Sequence, residues 1–532
     1  MFRTIKKAGN SVFLITLSLS AALVLSSCAN DNKPLTKPAH YASSEKPNII
    51  FFFTDDQAYD TIRAFGNPDA VTPNIDKLAN NGVVFSRHYN TTSICMASRA
   101  SVMSGMYEYK NGTNFQHGPM AETIWQQSYP LLLKQAGYRT GFAGKFGFPV
   151  SNMSASELNK EEGKVAQHDF DFWAGGPGQT SYKTAQNESI KKYAQDYPHS
   201  SLAYGAVSVD FIRDAVKDNT PFAMSVFYKA PHRPVTPDRK FDDVYKNTEF
   251  RKLPNYGRDA GKHFSKHSQK GRQYPRFEEW GYSEAQTYQQ ALRKYHQLIH
   301  GIDQSIGMVL TELETLGIAD NTVIIFASDN GYFNGSHGLG SKVLPYEEGA
   351  RVPLIIYDPR NQQSGKMRTT TSLTAGVDIS ATILDFAGVS KPISWDGVSL
   401  VPILNDSNQR VRKTMPHIQV WGLEETRNLT VLDQRFKYIY WYYQDEQQDL
   451  VPTEELYDLA NDPYELTNVV SDIRYASTLE NMRAVYDQQI NHWQQHSVKY
   501  NEYAEYGQLF DRHLSWPAKQ QILNKKGIAD QE

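Results

Sequence analysis

Four strongly apolar runs in the chain each end at charged or amide side chains. The runs are residues 48–54, 138–144, 221–228 and 321–328. Unbroken apolar runs of this length are typical of parallel strands that are covered on both faces. The side chains that follow them are Asp55, Asp56, Lys145, His232, Asp329 and Asn330. Because ligand sites of open α/β sheets lie outside the carboxyl ends of the strands, we expect these side chains to share one edge of such a sheet.

Several of these side chains offer oxygen atoms that could bind a metal ion. They are Asp55, Asp56, Asp329 and Asn330. Oxygen ligands suit a hard divalent cation such as Ca²⁺ or Mg²⁺, and neither Cys-x-x-Cys nor His-Glu-x-x-His, both typical of zinc sites, occurs in the sequence. An acidic pair after one strand can also serve turn or helix-cap chemistry. Two such sets after two strands favour a metal site.

A short motif places a cysteine one helical turn before an arginine. Residues 95–105 read CMASRASVMSG, so Cys95 and Arg99 could both face an anion near a helix N-terminus, where free N–H groups favour negative charge. Lys145 and Lys342 could add positive charge beside that anion. Without such a context, Cys95 could equally be a small buried residue before a helix.

The motif resembles the signature of type I sulfatases, the formylglycine-dependent family of the alkaline-phosphatase superfamily. In that family the cysteine of Cys-x-Pro/Ala-Ser-Arg is oxidised after translation to Cα-formylglycine. The aldehyde hydrate carries two hydroxyls, of which one can attack sulfur and the other can then expel sulfate. The resemblance extends from about Pro47 to the ELYDLANDPYE stretch at residues 455–465. It implies an α/β fold, an alkaline-phosphatase-like mixed and mainly parallel sheet flanked by helices, with a smaller C-terminal antiparallel-sheet α+β subdomain.

The resemblance also implies a role for each matching residue. Arg99 would orient the formylglycine hydroxyl, and His232 would face the leaving-group oxygen. The catalytic set would be Cys95, Arg99, Lys145, His232 and Lys342. The metal ligands, for Ca²⁺ or alternatively Mg²⁺, would be Asp55, Asp56, Asp329, Asn330 and the modified Cys95.

Two positions depart from the family pattern. Ala97 replaces the usual proline of the motif, a version that some anaerobic, radical-dependent maturases accept better than the aerobic enzyme does, so a formylglycine-generating maturase is an expected partner. Gly147 stands where many sulfatases place a histidine that assists sulfate elimination. His117 and His337 are the candidates to replace that histidine at the substrate.

The N-terminus predicts export. Basic residues precede an apolar, serine-rich stretch at about 12–25 that leads into Leu-Ser-Ser-Cys28, the form of a secretory signal whose ending resembles a bacterial lipobox. We expect residues 1–28 to be a lipoprotein signal peptide and 29–46 a polar tether. Ala29 after the lipidated cysteine favours an outer-membrane lipoprotein in the periplasm or at the cell surface. A hydrophobic segment kept as an anchor is the alternative.

The rest of the chain divides by texture. A chain of 532 residues exceeds what one core usually fills, so we expect a catalytic domain at 47–404 and a C-terminal subdomain at 405–500, followed by a polar tail at 501–532. Residues 430–443 predict an aromatic hairpin, and residues 473–496 have helical periodicity. With Cys28 lipidated and Cys95 catalytic, no thiol remains for a disulfide.

Charge is nearly balanced, at a formal −3, which argues against nucleic-acid binding. One segment, residues 258–276, is nevertheless basic. It contains Arg258, Lys262, His263, Lys266, His267, Lys270, Arg272 and Arg276. The segment could be a solvated surface, or a loop over the active site that gathers a polyanionic substrate.

These features together predict a sulfuric ester hydrolase that removes sulfate from a carbohydrate, such as a sulfated algal polysaccharide or its oligosaccharides. A phosphonate or phosphate monoester hydrolase of the same superfamily would share the metal site, and a sulfamidase would cut N–S bonds instead. A non-catalytic surface protein that binds sulfated glycans is the alternative of another class. A pure binder has no need of the complete set of Cys95, Arg99, Lys145, His232 and Lys342.

Overall fold

The computed structural model describes residues 46–151 and 166–526. The predicted signal peptide (1–28), the predicted lipidation site Cys28 and nearly all of the predicted tether (29–46) lie outside the described residues. Within the described part of the chain, no helix has both the length and the apolar character that crossing a membrane requires.

A mixed eight-stranded sheet lies at the centre of the fold, in the order β5-β4-β6-β1-β7-β8-β2-β9. Its strands are β1 (Asn48–Asp55), β2 (Val83–Phe85), β4 (Arg139–Lys145), β5 (Phe172–Gly176), β6 (Phe222–Pro231), β7 (Thr322–Ser328), β8 (Leu354–Tyr357) and β9 (Arg368–Thr370). Neighbouring strands are parallel except that β8 runs antiparallel to both β7 and β2. The predicted mainly parallel sheet is confirmed.

The apolar run of β1 supplies both faces of the sheet. Ile49, Phe51 and Phe53 belong to one buried cluster, and Ile50 and Phe52 belong to the cluster on the opposite face. This alternation follows from the two-residue period of a strand. In β1, the run from Ile49 to Phe53 therefore contains no polar side chain before the strand reaches Thr54 and Asp55.

Helices cover both faces of this sheet. One face packs against α1 (Pro73–Asn81), α6 (Ser200–Lys217) and α9 (Ala285–Thr315). The other packs against α2 (Cys95–Ser104), α5 (Tyr129–Gln135) and α11 (Val377–Phe386). Shorter helices are α3 (Glu108–Asn111), α4 (Glu122–Trp125), α7 (Lys266–Lys270), α8 (Arg276–Glu279), α10 (Glu347–Ala350) and α12 (Val401–Asn405). Single 3₁₀ turns occur at Tyr59–Thr61, Arg63–Phe65, Gln167–Asp169, Thr184–Gln186, Glu188–Tyr193, Arg239–Phe241, Arg258–Gly261, Ala319–Asn321, Glu424–Thr426 and Ile473–Tyr475.

A four-stranded antiparallel sheet follows in the C-terminal part. Its strands are β11 (Met415–Gln419), β12 (Asn428–Leu432), β13 (Phe436–Trp441) and β14 (Thr453–Asp458). The predicted hairpin is formed by β12 and β13, and the predicted helix is α13 (Ala476–His496). A two-stranded sheet, β3 (His88–Tyr89) with β10 (Thr374–Ala375), lies apart from both.

The segment predicted as a polar tail contains two helices, α14 (Tyr503–Leu509) and α15 (Trp516–Lys526). Tyr503, Tyr506 and Phe510 are buried in the same apolar cluster as Trp493 of α13. Apolar side chains three and four positions apart share one helical face, so α14 buries that face against α13. This segment is therefore part of the core rather than a loose tail.

Candidate active site

The four predicted apolar runs form adjacent parallel strands. They are β4, β6, β1 and β7, in that order across the sheet. Their carboxyl ends consequently bring Lys145, His232, Asp55 and Asp329 to one edge, which we call the strand-end site together with Asp56 and Asn330. The convergence expected from the sequence is present in the structure.

Cys95 enters this site as the first residue of α2. The Lys342 Nζ donates hydrogen bonds to the Cys95 Sγ, at 2.8 Å, and to the Asp56 Oδ1. Burial raises the pKa of the Cys95 thiol to about 12, and the nearby Asp55 carboxylate adds to the increase. The unmodified side chain is thus a neutral thiol, which is a weak nucleophile compared with a thiolate.

Arg99 is fully buried and its guanidinium is held by three separate groups. Its Nε donates to the Asp329 Oδ2 at 2.8 Å, and its two Nη groups donate to the backbone carbonyls of Lys145, at 2.6 Å, and Tyr228, at 3.2 Å. These acceptors belong to β4, to β6 and to the end of β7. Arg99 therefore ties α2 to three strands at the site.

The carboxylates of the site differ in protonation. Burial alone would raise the pKa of Asp55, but Lys145, His232 and Arg99 outweigh it and hold that pKa well below its usual range. The Lys145 Nζ lies 2.5 Å from the Asp55 Oδ2. Burial, together with the charge of Asp55, raises the pKa of Asp329 to about 7. The Asp55 carboxyl is therefore ionised over a wider pH range than the Asp329 carboxyl.

The oxygen donors fit a divalent cation. The Asp55 Oδ1 and the Asn330 Oδ1 are buried and, among the described residues, have no hydrogen-bond partner. Ligand atoms of Asp55, Asp56, Cys95 and His232 lie within 4.8 Å of one another. A buried acceptor without a donor costs free energy, and a cation bound between these oxygens would satisfy both acceptors.

His232 presents one edge of its ring to the site. Its Nδ1 lies 2.5 Å from the Arg233 carbonyl oxygen, which can only accept, so Nδ1 carries the proton. The Nε2 then faces the Asp56 Oδ2 at 3.7 Å. Burial lowers the pKa of His232 to about 4, although Asp56 and Asp55 lie nearby, so the ring is neutral.

The structure places the other two predicted histidines elsewhere. His337 contacts Asn255, the Ala260 carbonyl and Glu348. His117 contacts the Val420 carbonyl at 2.7 Å and Glu502 at 3.4 Å. Within the described part of the chain, neither forms a hydrogen bond to the strand-end site, and their role in substrate binding stays a prediction.

Two residues of the site carried no signal in the sequence. The Tyr295 hydroxyl of α9 donates to the Asp56 carbonyl at 2.5 Å and accepts from the Ala58 N–H at 2.9 Å. It thereby supports Asp56, whose backbone is left-handed with φ +67°. Lys229 of β6 is buried and donates to the Gln179 carbonyl at 3.1 Å. Lys229 lies three residues before His232 in the chain, and this proximity is the signal that the sequence offers for it.

Comparison with known proteins identifies the chain. A model of the sulfatase family matches residues 47–389, which include every residue of the strand-end site. The chain belongs to the sulfatase family. A second family model, described as the C-terminal part of N-sulphoglucosamine sulphohydrolase, matches residues 335–495. The chain is thus a sulfuric ester hydrolase, as the sequence motif predicted.

Individual relatives agree with this family. The sulfatase is 29% identical over 535 residues to an N-acetylglucosamine-6-O-sulfatase of Bacteroides thetaiotaomicron, with 89% of each chain covered. A solved structure in complex with its substrate D-glucosamine-2-N,6-O-disulfate has a TM-score of 0.69 and 26% identity, covering 86% of this chain and 100% of the other.

A phosphonate monoester hydrolase of Agrobacterium radiobacter has a TM-score of 0.68 and 21% identity, with 85% of this chain and 96% of that chain covered. At that identity the likeness concerns the fold alone. The predicted alkaline-phosphatase-like fold is confirmed.

Proposed function

We propose that this sulfatase removes sulfate from a carbohydrate, and that a glucosamine unit with a 6-O-sulfate is its substrate class. The single observation that carries the reaction is the contact of Lys342 with both Cys95 and Asp56, because it places the cysteine of the motif among the strand-end carboxylates. The names of two relatives, one of them bound to a 6-O-sulfated glucosamine, support the sugar. Sulfated algal oligosaccharides are the next class to test.

The proposed cation site consists of Asp55, Asp56, Asp329 and Asn330, with the modified residue 95. Ca²⁺ is the proposed ion and Mg²⁺ the alternative, since both prefer oxygen ligands. When bound, the cation would neutralise charge on a sulfuryl oxygen. The buried, unpartnered oxygens of Asp55 and Asn330 support this assignment.

The proposed nucleophile is formylglycine, made from Cys95 by a maturase of the host. Its hydrate would supply the attacking oxygen that a neutral thiol lacks. Lys342 and Lys145 would hold the sulfate by positive charge, since Lys145 pairs with Asp55 and Lys342 pairs with Asp56 at the site. Arg99 would fix the position of residue 95 relative to Asp329. His232 would face the leaving group with its Nε2.

We further propose that the enzyme is an outer-membrane lipoprotein anchored at Cys28, facing the periplasm or the cell exterior. The signal-like N-terminus and the lipobox support this location. Radiolabelled palmitate should be incorporated into the wild type and not into Cys28→Ala. Equal labelling of both proteins would contradict the anchor.

Maturation at Cys95 can be measured directly. Protein made together with a radical-dependent maturase should show a loss of about 18 Da in the peptide with Cys95, the thiol-to-aldehyde change. That protein should hydrolyse 4-nitrophenyl sulfate over many turnovers, and Cys95→Ala should not. Full turnover by unmodified protein would contradict the proposed nucleophile.

The alternatives separate by substrate. A preference for 4-nitrophenyl phosphate or a phosphonate ester would favour a phosphonate or phosphate monoester hydrolase. Release of sulfate from N-sulfated glucosamine would favour a sulfamidase. Binding of sulfated oligosaccharides by matured protein without any turnover would favour a glycan-binding protein. Release of sulfate from 6-O-sulfated N-acetylglucosamine is the result that we expect.

The cation has a readout besides activity. Ca²⁺ should raise the Tm of metal-stripped wild type, because a ligand at a hundred times its Kd stabilises the folded state by about 2.7 kcal/mol. Asn330→Ala should abolish most of that increase. Asn361→Ala, which removes a buried asparagine that is not part of the strand-end site, should leave the increase in Tm intact. An equal Ca²⁺ effect in both variants would contradict the assigned ligands.

A further inference from the structure

Of the arginines that form no ion pair with any described residue, three contact tryptophan rings. They are Arg233, which directly follows His232, and Arg272 and Arg276 at the end of the basic segment 258–276. Arg258, at the start of that segment, differs: its guanidinium lies 2.5 Å from Glu278 and also donates to the Gly338 carbonyl. Some arginines of the basic segment are therefore neutralised by an ion pair, and others are not.

Two tryptophan rings hold these arginines. The guanidinium carbons of Arg233 and Arg276 lie 4.2 Å and 4.6 Å from the centroid of the Trp280 ring. The guanidinium of Arg272 lies 5.4 Å from the Trp421 ring. Such cation–π contacts fix the plane of a guanidinium without using its N–H groups, of which Arg276 gives one to Ser341 and Arg233 has the Tyr282 hydroxyl nearby.

Both tryptophans lie beside the active site. Trp421 packs against Ile94, Ala97 and Val343, which are neighbours of Cys95 and Lys342 in the chain. On the other side, the Arg276 Nη1 donates to the Ser341 Oγ at 3.1 Å, and Ser341 precedes Lys342. Arg272, through Trp421, and Arg276, through Ser341, thus lie near the chain neighbours of Cys95 and Lys342, and Arg233 directly follows His232.

The three positive charges also act on one another. Burial lowers the pKa of Arg276, and the charges of Arg272 and Arg233 lower it further, while Tyr332 and Glu279 raise it. Like charges repel one another, and a bound anion would relieve that repulsion. Arg272 is exposed and the other two are half-buried, so a ligand can reach them from solvent.

We propose that Arg233, Arg272 and Arg276 form a subsite for a second anionic group of the substrate, a sulfate or a carboxylate on the sugar next to the one that is desulfated. Guanidinium groups bind both anions through paired N–H···O contacts. This subsite rests on the proposed function, since it supposes a sulfated oligosaccharide in the active site. It would make the enzyme prefer substrates with several charges.

The remaining cations of the basic segment supply a matched control. Lys262 pairs with Asp259 at 2.6 Å in solvent, and Lys270 is exposed. His263 and His267 instead donate to the backbone carbonyls of Glu465 and Tyr443 and anchor the segment to the C-terminal part. Replacing Lys262 and Lys270 removes the same charge from the same segment as replacing Arg272 and Arg276.

The test compares kcat/KM on two disaccharides that share the scissile 6-O-sulfate, one with a second anionic group and one without. For R272A/R276A we expect the ratio of the two kcat/KM values to fall about tenfold or more, mainly through KM, which corresponds to about 1.4 kcal/mol. For K262A/K270A we expect the ratio to stay within about twofold, because both lysines are exposed and screened by solvent and salt, and Lys262 is already paired with Asp259. R276K should lose less than R276A, because it keeps the charge but not the fork.

Binding distinguishes this proposal from the proposed reaction. Titration calorimetry with Cys95→Ala protein needs no turnover, so a tenfold weaker affinity of Cys95→Ala/R272A/R276A for the doubly charged disaccharide would support the subsite even if the enzyme cleaved a different bond. Parallel arms with a second sulfate and with a uronate carboxylate tell the two anions apart. An unchanged ratio for the arginine pair, or an equal fall for the lysine pair, would overturn the subsite.

Discussion

Gly147 shows how one residue limits what the site can contain. Its backbone is left-handed, with φ +93°, and a Cβ at this position would lie 2.6 Å from the Arg99 Cδ. A histidine here, as in many sulfatases, would therefore need Arg99 to move. Because Arg99 is bound to Asp329, Lys145 and Tyr228, the absence of the histidine and the position of the arginine are coupled.

We expect Gly147→Ala to lose both stability and activity. The left-handed backbone alone costs about 1–2 kcal/mol for a residue with a Cβ, and the contact with Arg99 should lower kcat/KM for 4-nitrophenyl sulfate in addition. Gly66→Ala is the matched control, because Gly66 has φ +92° but no atom within 4 Å of the added Cβ. It should cost similar stability in urea unfolding and leave kcat/KM within about twofold. Unchanged activity in Gly147→Ala would show that Arg99 can shift away from the added Cβ without any effect on catalysis.

At the scale of the elements, a buried carboxyl joins α3 to α14. The Glu108 Oε1 accepts hydrogen bonds from the Asn114 side chain at 2.7 Å and from the Tyr503 hydroxyl at 2.8 Å. Burial raises the pKa of Glu108 to about 7, although these donors oppose the increase. The folded protein therefore keeps this carboxyl protonated at a pH where the unfolded chain, with a pKa near 4.5, has lost the proton.

This difference gives stability a pH dependence of known sign. Below pH 4.5 the contribution of Glu108 is fully present, and it is lost as pH rises towards 7, by at most about 1.4 kcal/mol per pH unit. We expect Glu108→Gln to lessen the decrease in Tm between pH 5 and pH 8, because an amide keeps the acceptor and does not ionise. Glu249→Gln, at an exposed position, should leave the decrease as in the wild type. A steeper decrease in Glu108→Gln would contradict the raised pKa.

At the scale of the whole molecule, Lys437 links the catalytic and C-terminal parts. Its Nζ, fully buried on β13, lies 2.9 Å from Glu347 at the start of α10 and 2.8 Å from Glu465 after β14. Around it, Tyr89, Phe333 and Tyr346 of the catalytic part share one apolar cluster with residues of the antiparallel sheet. One apolar cluster thus contains residues from both sides of the predicted boundary near residue 404. We therefore expect the two parts to unfold cooperatively.

Lys437→Met should be strongly destabilising, because it leaves Glu465 without its counter-charge and Glu347 with only Arg351, at 3.8 Å. Removing one partner of a buried ion pair typically costs about 3–5 kcal/mol. The triple variant Lys437→Met/Glu347→Gln/Glu465→Gln should recover much of that loss, since none of the three side chains is then charged. Urea unfolding followed by both fluorescence and sulfatase activity measures the change. Equal stability of the single and triple variants would show that the charges are not what matters.

The sequence by itself determined the strands that meet at the site and the chemistry at their ends. The run from Ile49 to Phe53 is apolar at every position because both faces of a parallel strand are buried, and that property is visible in the sequence alone. Cys95 and Arg99 are visible for a related reason, because they belong to one short motif with fixed spacing. Asp329 is visible because it directly follows an apolar run.

Only the tertiary structure decided how distant segments use the site. Three features depend on residues that are far apart in the chain. They are the pairing of Arg99 with Asp329, the contact that a side chain at Gly147 would make with Arg99, and, in the basic segment, the contacts of His263 with Glu465 and of Arg272 with Trp421. The surroundings of His117 and His337 depend on distant segments for the same reason. Tyr503 lies in the segment predicted as a polar tail, and its burial depends on Trp493, which lies on another helix. Packing between elements selects among side chains that local patterns leave equivalent.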